Sequence, residues 1–179
     1  WVIPGPHSRM QLEVVEEQHA LGAGAFHTDG QRRDALEIRA ERRQVEAPRH
    51  PGRLLQVVRG AGVQPSLILT SPLRRAAETA QIAASVLAHP GQPVNSGSLL
   101  PGARPEDVWT EIRTHKDAEQ ILLAGHEPLF SRLAAYLLGS PTLQVDVKKG
   151  SLIRIDLDPF ALHPRGALKW MLVPRLASA

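Results

Sequence analysis

The sequence contains no cysteine, which excludes disulfide bonds and thiolate metal sites and is compatible with a reducing compartment. Aromatic residues make up only 4% of the chain, which argues against a surface on which nucleic-acid bases stack. Apolar runs reach about four to six residues, far below the roughly 20 that span a bilayer, and no signal-peptide pattern is present. We therefore expect a soluble, cytoplasmic protein that has no membrane partner.

Charge and length narrow the class further. The net charge is +3, but the basic residues are scattered among acidic ones. No nucleic-acid partner is expected, although a small basic nucleic-acid-binding protein stays as an alternative and would bind in a salt-dependent way. The histidine spacing shows no metal-ligand pattern, so neither a metal ion nor a cofactor is expected. The length of 179 residues and the hydrophobic content of 42% indicate one domain over 1–179.

Strand patterns and helix patterns alternate along most of the chain, and this alternation predicts an α/β layered sheet. The predicted strands are 10–15, 66–70, 121–125, 151–157 and 167–173, and the predicted helices are 32–47, one ending at Gly60, 72–88, 106–115 and one between Pro128 and Gly139. In the helix at 72–88, apolar residues recur every three or four positions and predict one buried face. These are Leu73, Ala76, Ala80, Ala83 and Leu87.

Two strand–helix junctions, LILT-SPLRR and ILLAG-HEP, place polar residues where a sheet of this class binds ligands. Helix N-termini attract anions there. With Ser71 as N-cap, Arg74 and Arg75 differ by about 100° around the helix axis. Arg74 can form a solvated ion pair with Glu78, whereas Arg75 can fold back over the strand end where an anion would bind. Spacing alone also allows both to be ordinary surface arginines.

His126 directly follows the predicted strand at 121–125 and precedes a helix. A histidine there can hydrogen-bond a phosphoryl oxygen or carry a proton near neutral pH. The alternative is that it caps the helix together with Glu127. The basic pair Lys148 and Lys149 is most simply part of a solvated loop.

Four segments, in the same order, resemble the SixA-type phosphohistidine phosphatases of the histidine phosphatase superfamily. They are LILTSPLRRAAETAQIAA, ILLAGHEPLFSRLAAYLLG, VKKGSLIRIDL and GALKWMLVPRLA, and the resemblance covers about Leu54 to Ala177. It implies a three-layer α/β/α sandwich with a mostly parallel, phosphoglycerate mutase-like sheet. It also implies metal-independent phosphatase activity, typically on a phosphorylated protein histidine, although these motifs do not exclude a small phosphoester. Arg75 and His126 match the family's catalytic, phosphate-binding arginine and second pocket histidine.

The chain departs from this family where the phosphoryl-accepting histidine belongs. The Arg-His-Gly or Arg-His-Ala motif after the first strand is missing, and Glu16 and Glu17 follow the strand instead. His19, His27 and His50 are weak candidates for a replacement. Because residues 1–53 also differ in composition, we hypothesise that they are frame-shifted, mistranslated, substituted or disordered.

Two functions follow from this resemblance. The first is a phosphohistidine phosphatase whose turnover is impaired by the loss of the nucleophile motif. The second is a pseudo-phosphatase that binds a phosphorylated partner without cleaving it.

Overall fold

The computed structural model describes residues 10–16 and 51–173. These residues form one six-stranded sheet that is covered by helices. The strands are β1 (Met10–Glu16), β2 (Leu67–Thr70), β3 (Val94–Asn95), β4 (Gln120–Gly125), β5 (Leu152–Leu157) and β6 (Ala167–Leu172). The helices are α1 (Pro51–Gly60), α2 (Arg74–Val86), α3 (Pro105–Thr114) and α4 (Leu129–Leu137), with a short 3₁₀ helix at Gly97–Leu99. The strand order is β3-β2-β4-β1-β5-β6.

Strand β4 lies in the middle of the sheet, between β1 and β2, and both neighbours run parallel to it. Leu12 of β1 and Leu67 of β2 both pair with Ile121. Strand β3 continues parallel beside β2, whereas β5 and β6 run antiparallel beyond β1. Parallel strands covered on both faces carry near-continuous apolar runs, as β4 does. The predicted α/β fold with a mostly parallel sheet is confirmed.

Helices cover both faces of this sheet. Ile121 and Leu123 of β4 belong to a core that includes side chains of α3 and α4. The alternate residues, Leu122 and Ala124, belong to a second core with side chains of α1 and α2. Because successive side chains of a strand point to opposite faces, the two cores lie on opposite sides of the sheet. The predicted three-layer α/β/α arrangement is therefore present.

Helix α2 begins later than predicted. Its first residue is Arg74 and its N-cap is Leu73, so the expectation that Ser71 is the N-cap is wrong. Leu73 is 45% exposed, which also corrects its assignment to the buried face. The cause is not local, because the hydroxyl of Ser71 contacts a side chain 55 residues further along the chain. The other predicted face residues are buried, namely Ala76, Ala80, Ala83 and Leu87.

The remaining predicted elements lie within a few residues of their expected bounds where the structure describes them. Strand β3 and the 3₁₀ helix were not predicted, because two or three residues are too few to show a period. Helix α4 ends before Gly139, which has a φ of +69° and donates its N–H to the Tyr136 carbonyl at 2.9 Å. The predicted helix at 32–47 lies outside the described residues. In the described part of the chain, the helices are too short or too polar to span a membrane.

Candidate functional site

Three parallel strands end side by side at one edge of the sheet. Glu16, the last residue of β1, pairs with Gly125, and Thr70, the last residue of β2, pairs with Ala124. The residues that directly follow these strands therefore meet at the carboxyl edge, where α/β sheets bind their ligands. Ser71 and His126 are two of them.

A side-chain hydrogen bond joins the two junctions. His126 Nε2 lies 2.9 Å from Ser71 Oγ, and the backbone N–H of Ser71 donates to the Ala124 carbonyl at 2.9 Å. Ser71 is fully buried at 0% exposure, and its Oγ also accepts the backbone N–H of Leu73 at 3.3 Å. The segments SPLRR and GHEP, predicted separately to carry chemistry, are thus held together at the edge of the sheet.

The two adjacent arginines differ in their surroundings. Arg74 Nε donates to Glu78 Oε1 at 2.8 Å, with side-chain exposures of 90% and 57%. This hydrogen bond raises the pKa of the Arg74 guanidinium above its ordinary value, and the prediction of a solvated ion pair is confirmed. Arg75 is half-buried in the first turn of α2, and that turn contains no acidic residue. A half-buried arginine at a helix N-terminus is well placed to attract an anion.

Capping of helix α4 is performed by Glu127. Its Oε1 accepts the backbone N–H of Ser131 at 2.9 Å, and its other carboxylate oxygen accepts the Ser131 hydroxyl. The peptide bond between Glu127 and Pro128 is cis. The ring of His126 contacts Ser71 instead. This contact does not agree with the alternative in which His126 caps the helix.

Gly125 allows the end of β4 to pack closely. A Cβ atom at this position would lie 2.8 Å from Phe130 Cζ and 3.4 Å from the Leu99 carbonyl oxygen. No side chain fits at the shorter distance unless the aromatic ring moves. The glycine therefore brings the backbone before His126 against the 3₁₀ helix and α4.

A second polar cluster, formed by Ser96, Ser98 and Glu111, supports the same edge and was missed from the sequence. The hydroxyls of Ser96 and Ser98 both donate to the Glu111 carboxylate on α3. The backbone N–H of Ser96 donates to the Thr70 carbonyl at 2.8 Å, directly before Ser71. The Ser-Gly-Ser turn after β3 was the available signal, but nothing in the sequence pairs it with a residue 13 to 15 positions later.

The β5 side of the edge carries the Lys-Lys-Gly segment. Strand β5 starts beside the end of β1, with Val15 paired to Leu152. Lys148 forms an exposed ion pair with Asp146 at 2.6 Å, in agreement with a solvated loop. The Ser151 hydroxyl is buried and has no hydrogen-bond partner among the described residues. The described residues contain no group of three or more His, Asp or Glu side chains that could hold a metal ion.

The position of the missing nucleophile is only partly described. The backbone of Glu16 ends β1 next to Gly125. Glu17 and the three candidate replacements, His19, His27 and His50, lie outside the described residues. Their assignment stays a prediction.

Comparison with known proteins gives one kind of match. No protein-family model matches the chain. No curated protein matches it in sequence. Among solved structures, the protein histidine phosphatase SixA in complex with tungstate superposes with a TM-score of 0.69 at 19% identity, covering 93% of this chain and 99% of that one.

Two further structures agree. A candidate phosphohistidine phosphatase SixA from Agrobacterium tumefaciens gives a TM-score of 0.63 at 16% identity and covers 92% of this chain and 98% of its own. The alpha-ribazole phosphatase from Shigella flexneri gives 0.55 at 16% identity, with coverages of 92% and 97%. At these identities the likeness shows the fold alone: the chain has a phosphoglycerate mutase-like fold, in agreement with the fold that its motifs predicted.

Proposed function

We propose that the carboxyl edge of the sheet binds a phosphorylated histidine of a partner protein, in the manner of a SixA-type phosphohistidine phosphatase, and hydrolyses it weakly. The observation that carries this proposal is the hydrogen bond between Ser71 and His126, which brings the SPLRR and GHEP segments together. The similar SixA structure holds tungstate, a tetrahedral oxyanion that resembles phosphate, which supports an anion site in this fold.

The chemistry of the edge suits a phosphoryl group. The first turn of α2 supplies backbone N–H groups and the positive end of the helix dipole, without an acidic side chain to oppose them. Arg75 adds a planar guanidinium that can donate two hydrogen bonds to phosphoryl oxygens. His126 is the proposed third donor. Charge that develops on the phosphoryl oxygens during transfer would be stabilised by these groups.

Weak turnover follows from the sequence after β1. The covalent route needs a neutral imidazole aimed in line at phosphorus, and the family supplies it from the Arg-His-Gly motif. Here two glutamates occupy that stretch of sequence, and their carboxylates would repel a phosphoryl anion where an arginine should attract it. Binding is therefore expected to survive better than hydrolysis.

We further propose that the motif was lost through a frame shift in the gene. Strand β1 lies within residues 1–53 and pairs with both β4 and β5. We therefore propose that the shifted stretch begins after this strand and ends before Leu54, where the reading frame is restored. Reading the nucleotide sequence upstream of Leu54 in the other two frames should show Arg-His-Gly or Arg-His-Ala. Its absence from every frame would contradict the frame shift.

A second candidate function is a pseudo-phosphatase that recognises phosphohistidine without cleaving it. The observation that favours it is the absence of Arg-His-Gly and Arg-His-Ala from the sequence. The two candidates share one binding site and differ only in turnover.

Turnover of a phosphohistidine-bearing protein separates them. The weak phosphatase predicts slow phosphate release that falls about 10²- to 10³-fold in His126→Ala, because one transition-state donor is lost. The control is Arg74→Ala, in which the rate should stay within about threefold because Arg74 is engaged with Glu78 at the surface. Saturable binding without release supports the pseudo-phosphatase. Faster release from a small phosphoester than from the phosphoprotein would contradict the proposed substrate, and a change below threefold in His126→Ala would contradict the role of His126.

A further inference from the structure

The hydrogen bonds of the buried Ser71 hydroxyl can be counted. A serine hydroxyl carries one proton and two acceptor lone pairs. Here Oγ accepts the backbone N–H of Leu73 at 3.3 Å and lies 2.9 Å from His126 Nε2. At 0% exposure the residue has no access to solvent. Each remaining hydrogen bond of this hydroxyl must therefore be made inside the protein.

The direction of the bond to His126 can be deduced from this count. If Nε2 carried a proton and donated it, Ser71 Oγ would accept twice and its own proton would have no acceptor among the described residues. Buried donors without a partner are rare in folded proteins. If Ser71 donates to Nε2 instead, the Leu73 N–H, the Ser71 hydroxyl and the ring nitrogen are all satisfied. The second arrangement is therefore the favoured one, because it leaves none of these three groups without a hydrogen bond.

We infer that Ser71 is a positioning residue that donates its proton to His126 Nε2 and thereby fixes the neutral ring with its proton on Nδ1. The tautomer of a histidine is set by the hydrogen bond that one of its nitrogens makes. The two hydrogen bonds run from the Leu73 N–H through the Ser71 hydroxyl to His126 Nε2. The backbone at the start of α2 therefore sets the tautomer of His126.

This inference decides between two roles that the sequence left open for His126. With Nε2 occupied by the Ser71 proton, the neutral ring is an N–H donor through Nδ1 and has no lone pair available to act as base or nucleophile. His126 would then hydrogen-bond a phosphoryl oxygen and would not replace the missing nucleophile. This consequence rests on the proposed function, whereas the tautomer itself does not.

Nuclear magnetic resonance of the full chain labelled with ¹⁵N-histidine tests the tautomer without any ligand. In long-range ¹H–¹⁵N spectra at a pH where the ring is neutral, His126 should show a protonated Nδ1 and an unprotonated Nε2. His126→Gln identifies the signals by their loss. A wild-type spectrum with the proton on Nε2 would overturn the inference, and this result needs no variant at Ser71.

Two serine variants test whether Ser71 is the cause. Ser71→Ala removes the donor, so the Nε2-protonated form of His126 should appear. Ser151→Ala is the matched control, because it removes another fully buried hydroxyl at the same edge that has no partner among the described residues. The His126 signals should keep their pattern in Ser151→Ala. An unchanged tautomer in Ser71→Ala would refute the assignment of Ser71 as the positioning residue.

Tungstate titration separates this inference from the proposed function. Ser71→Ala should weaken tungstate binding about three- to tenfold, the equivalent of one lost hydrogen bond, while Ser151→Ala should change it less than about twofold. Failure of the wild type to bind tungstate would contradict the proposed site and leave the tautomer result standing. Equal affinity of wild type and Ser71→Ala, together with a confirmed tautomer, would contradict only the claimed use of Nδ1.

Discussion

The β2–α2 and β4–α4 junctions lie side by side at the carboxyl edge, yet their helix N-termini are satisfied differently. At α4 a carboxylate, Glu127, accepts the Ser131 N–H and places a negative charge at the helix start. At α2 the first turn has no acidic residue and contains Arg75. We therefore expect an anion to be repelled by the α4 junction and attracted to the start of α2.

The side-chain hydrogen bond between Ser71 and His126 links the two junctions. His126 belongs to the β4–α4 junction by sequence but reaches Ser71 of the β2–α2 junction. The histidine is thereby placed next to the helix start that favours anions and is separated from the capping role that Glu127 fills. In the proposed site, the β2–α2 junction supplies the positive charge of Arg75 and the β4–α4 junction supplies the imidazole of His126.

The largest effect on anion affinity should come from removing Arg75. Arg75→Ala should weaken tungstate or phosphate binding about tenfold to a hundredfold, because hydrogen bonds to charged groups contribute about 1.5–3 kcal/mol. The neighbouring Arg74→Ala is the control and should change the affinity less than about threefold, since Arg74 is exposed and paired with Glu78. Calorimetric titration measures both. Equal losses in the two variants would remove the distinction between the arginines.

A smaller effect is expected when the close approach at Gly125 is prevented. Gly125→Ala places a Cβ 2.8 Å from Phe130 Cζ, and such overpacking should lower the free energy of unfolding by about 1–3 kcal/mol. Gly102→Ala is the matched control, because no atom lies within 4 Å of its added Cβ, and its change should stay within about 0.5 kcal/mol. Urea denaturation compares the two variants. Equal stabilities of the two variants would show that a Cβ atom at the end of β4 is accommodated without a packing conflict.

The smallest effect should follow removal of the cap at the second junction. Glu127→Ala should lower the free energy of unfolding by about 1 kcal/mol, because the Ser131 N–H loses its acceptor. Tungstate affinity should stay the same or rise slightly, since a negative charge leaves the edge. Exposed Glu119→Ala serves as the control for loss of a carboxylate. A clear loss of tungstate affinity in Glu127→Ala would mean that the anion is held at α4.

The order and layering of the fold were predictable because its signals are local. The strands at 121–125 and 151–157 follow from apolar runs and alternation, and the helices from three- and four-residue spacing, so the α/β/α arrangement was expected and is present. The start of α2 was misjudged because a Ser-Pro pair normally indicates an N-cap. Here Ser71 uses its hydroxyl across the sheet edge, and a contact 55 residues away has no local signature.

The site was predictable only where its residues have a local sequence signal. Arg75 and His126 were singled out by their positions after buried strands, and the structure places both at the carboxyl edge. Glu111 was not, because its partners Ser96 and Ser98 lie on a turn after a two-residue strand that has no readable period. The roles of Arg75 and His126 in binding stay proposals, since chemistry at an edge depends on the ligand.

The location of a bound oxyanion tests the central claim most directly. A crystal structure of the chain with tungstate, in which tungsten is located by its anomalous scattering, should show one site beyond the carboxyl ends of β2 and β4. Arg75 and His126 should both contact its oxygens, with Glu127 still bound to Ser131. Tungsten at the start of α4, elsewhere on the surface, or not bound at millimolar concentrations would contradict the account.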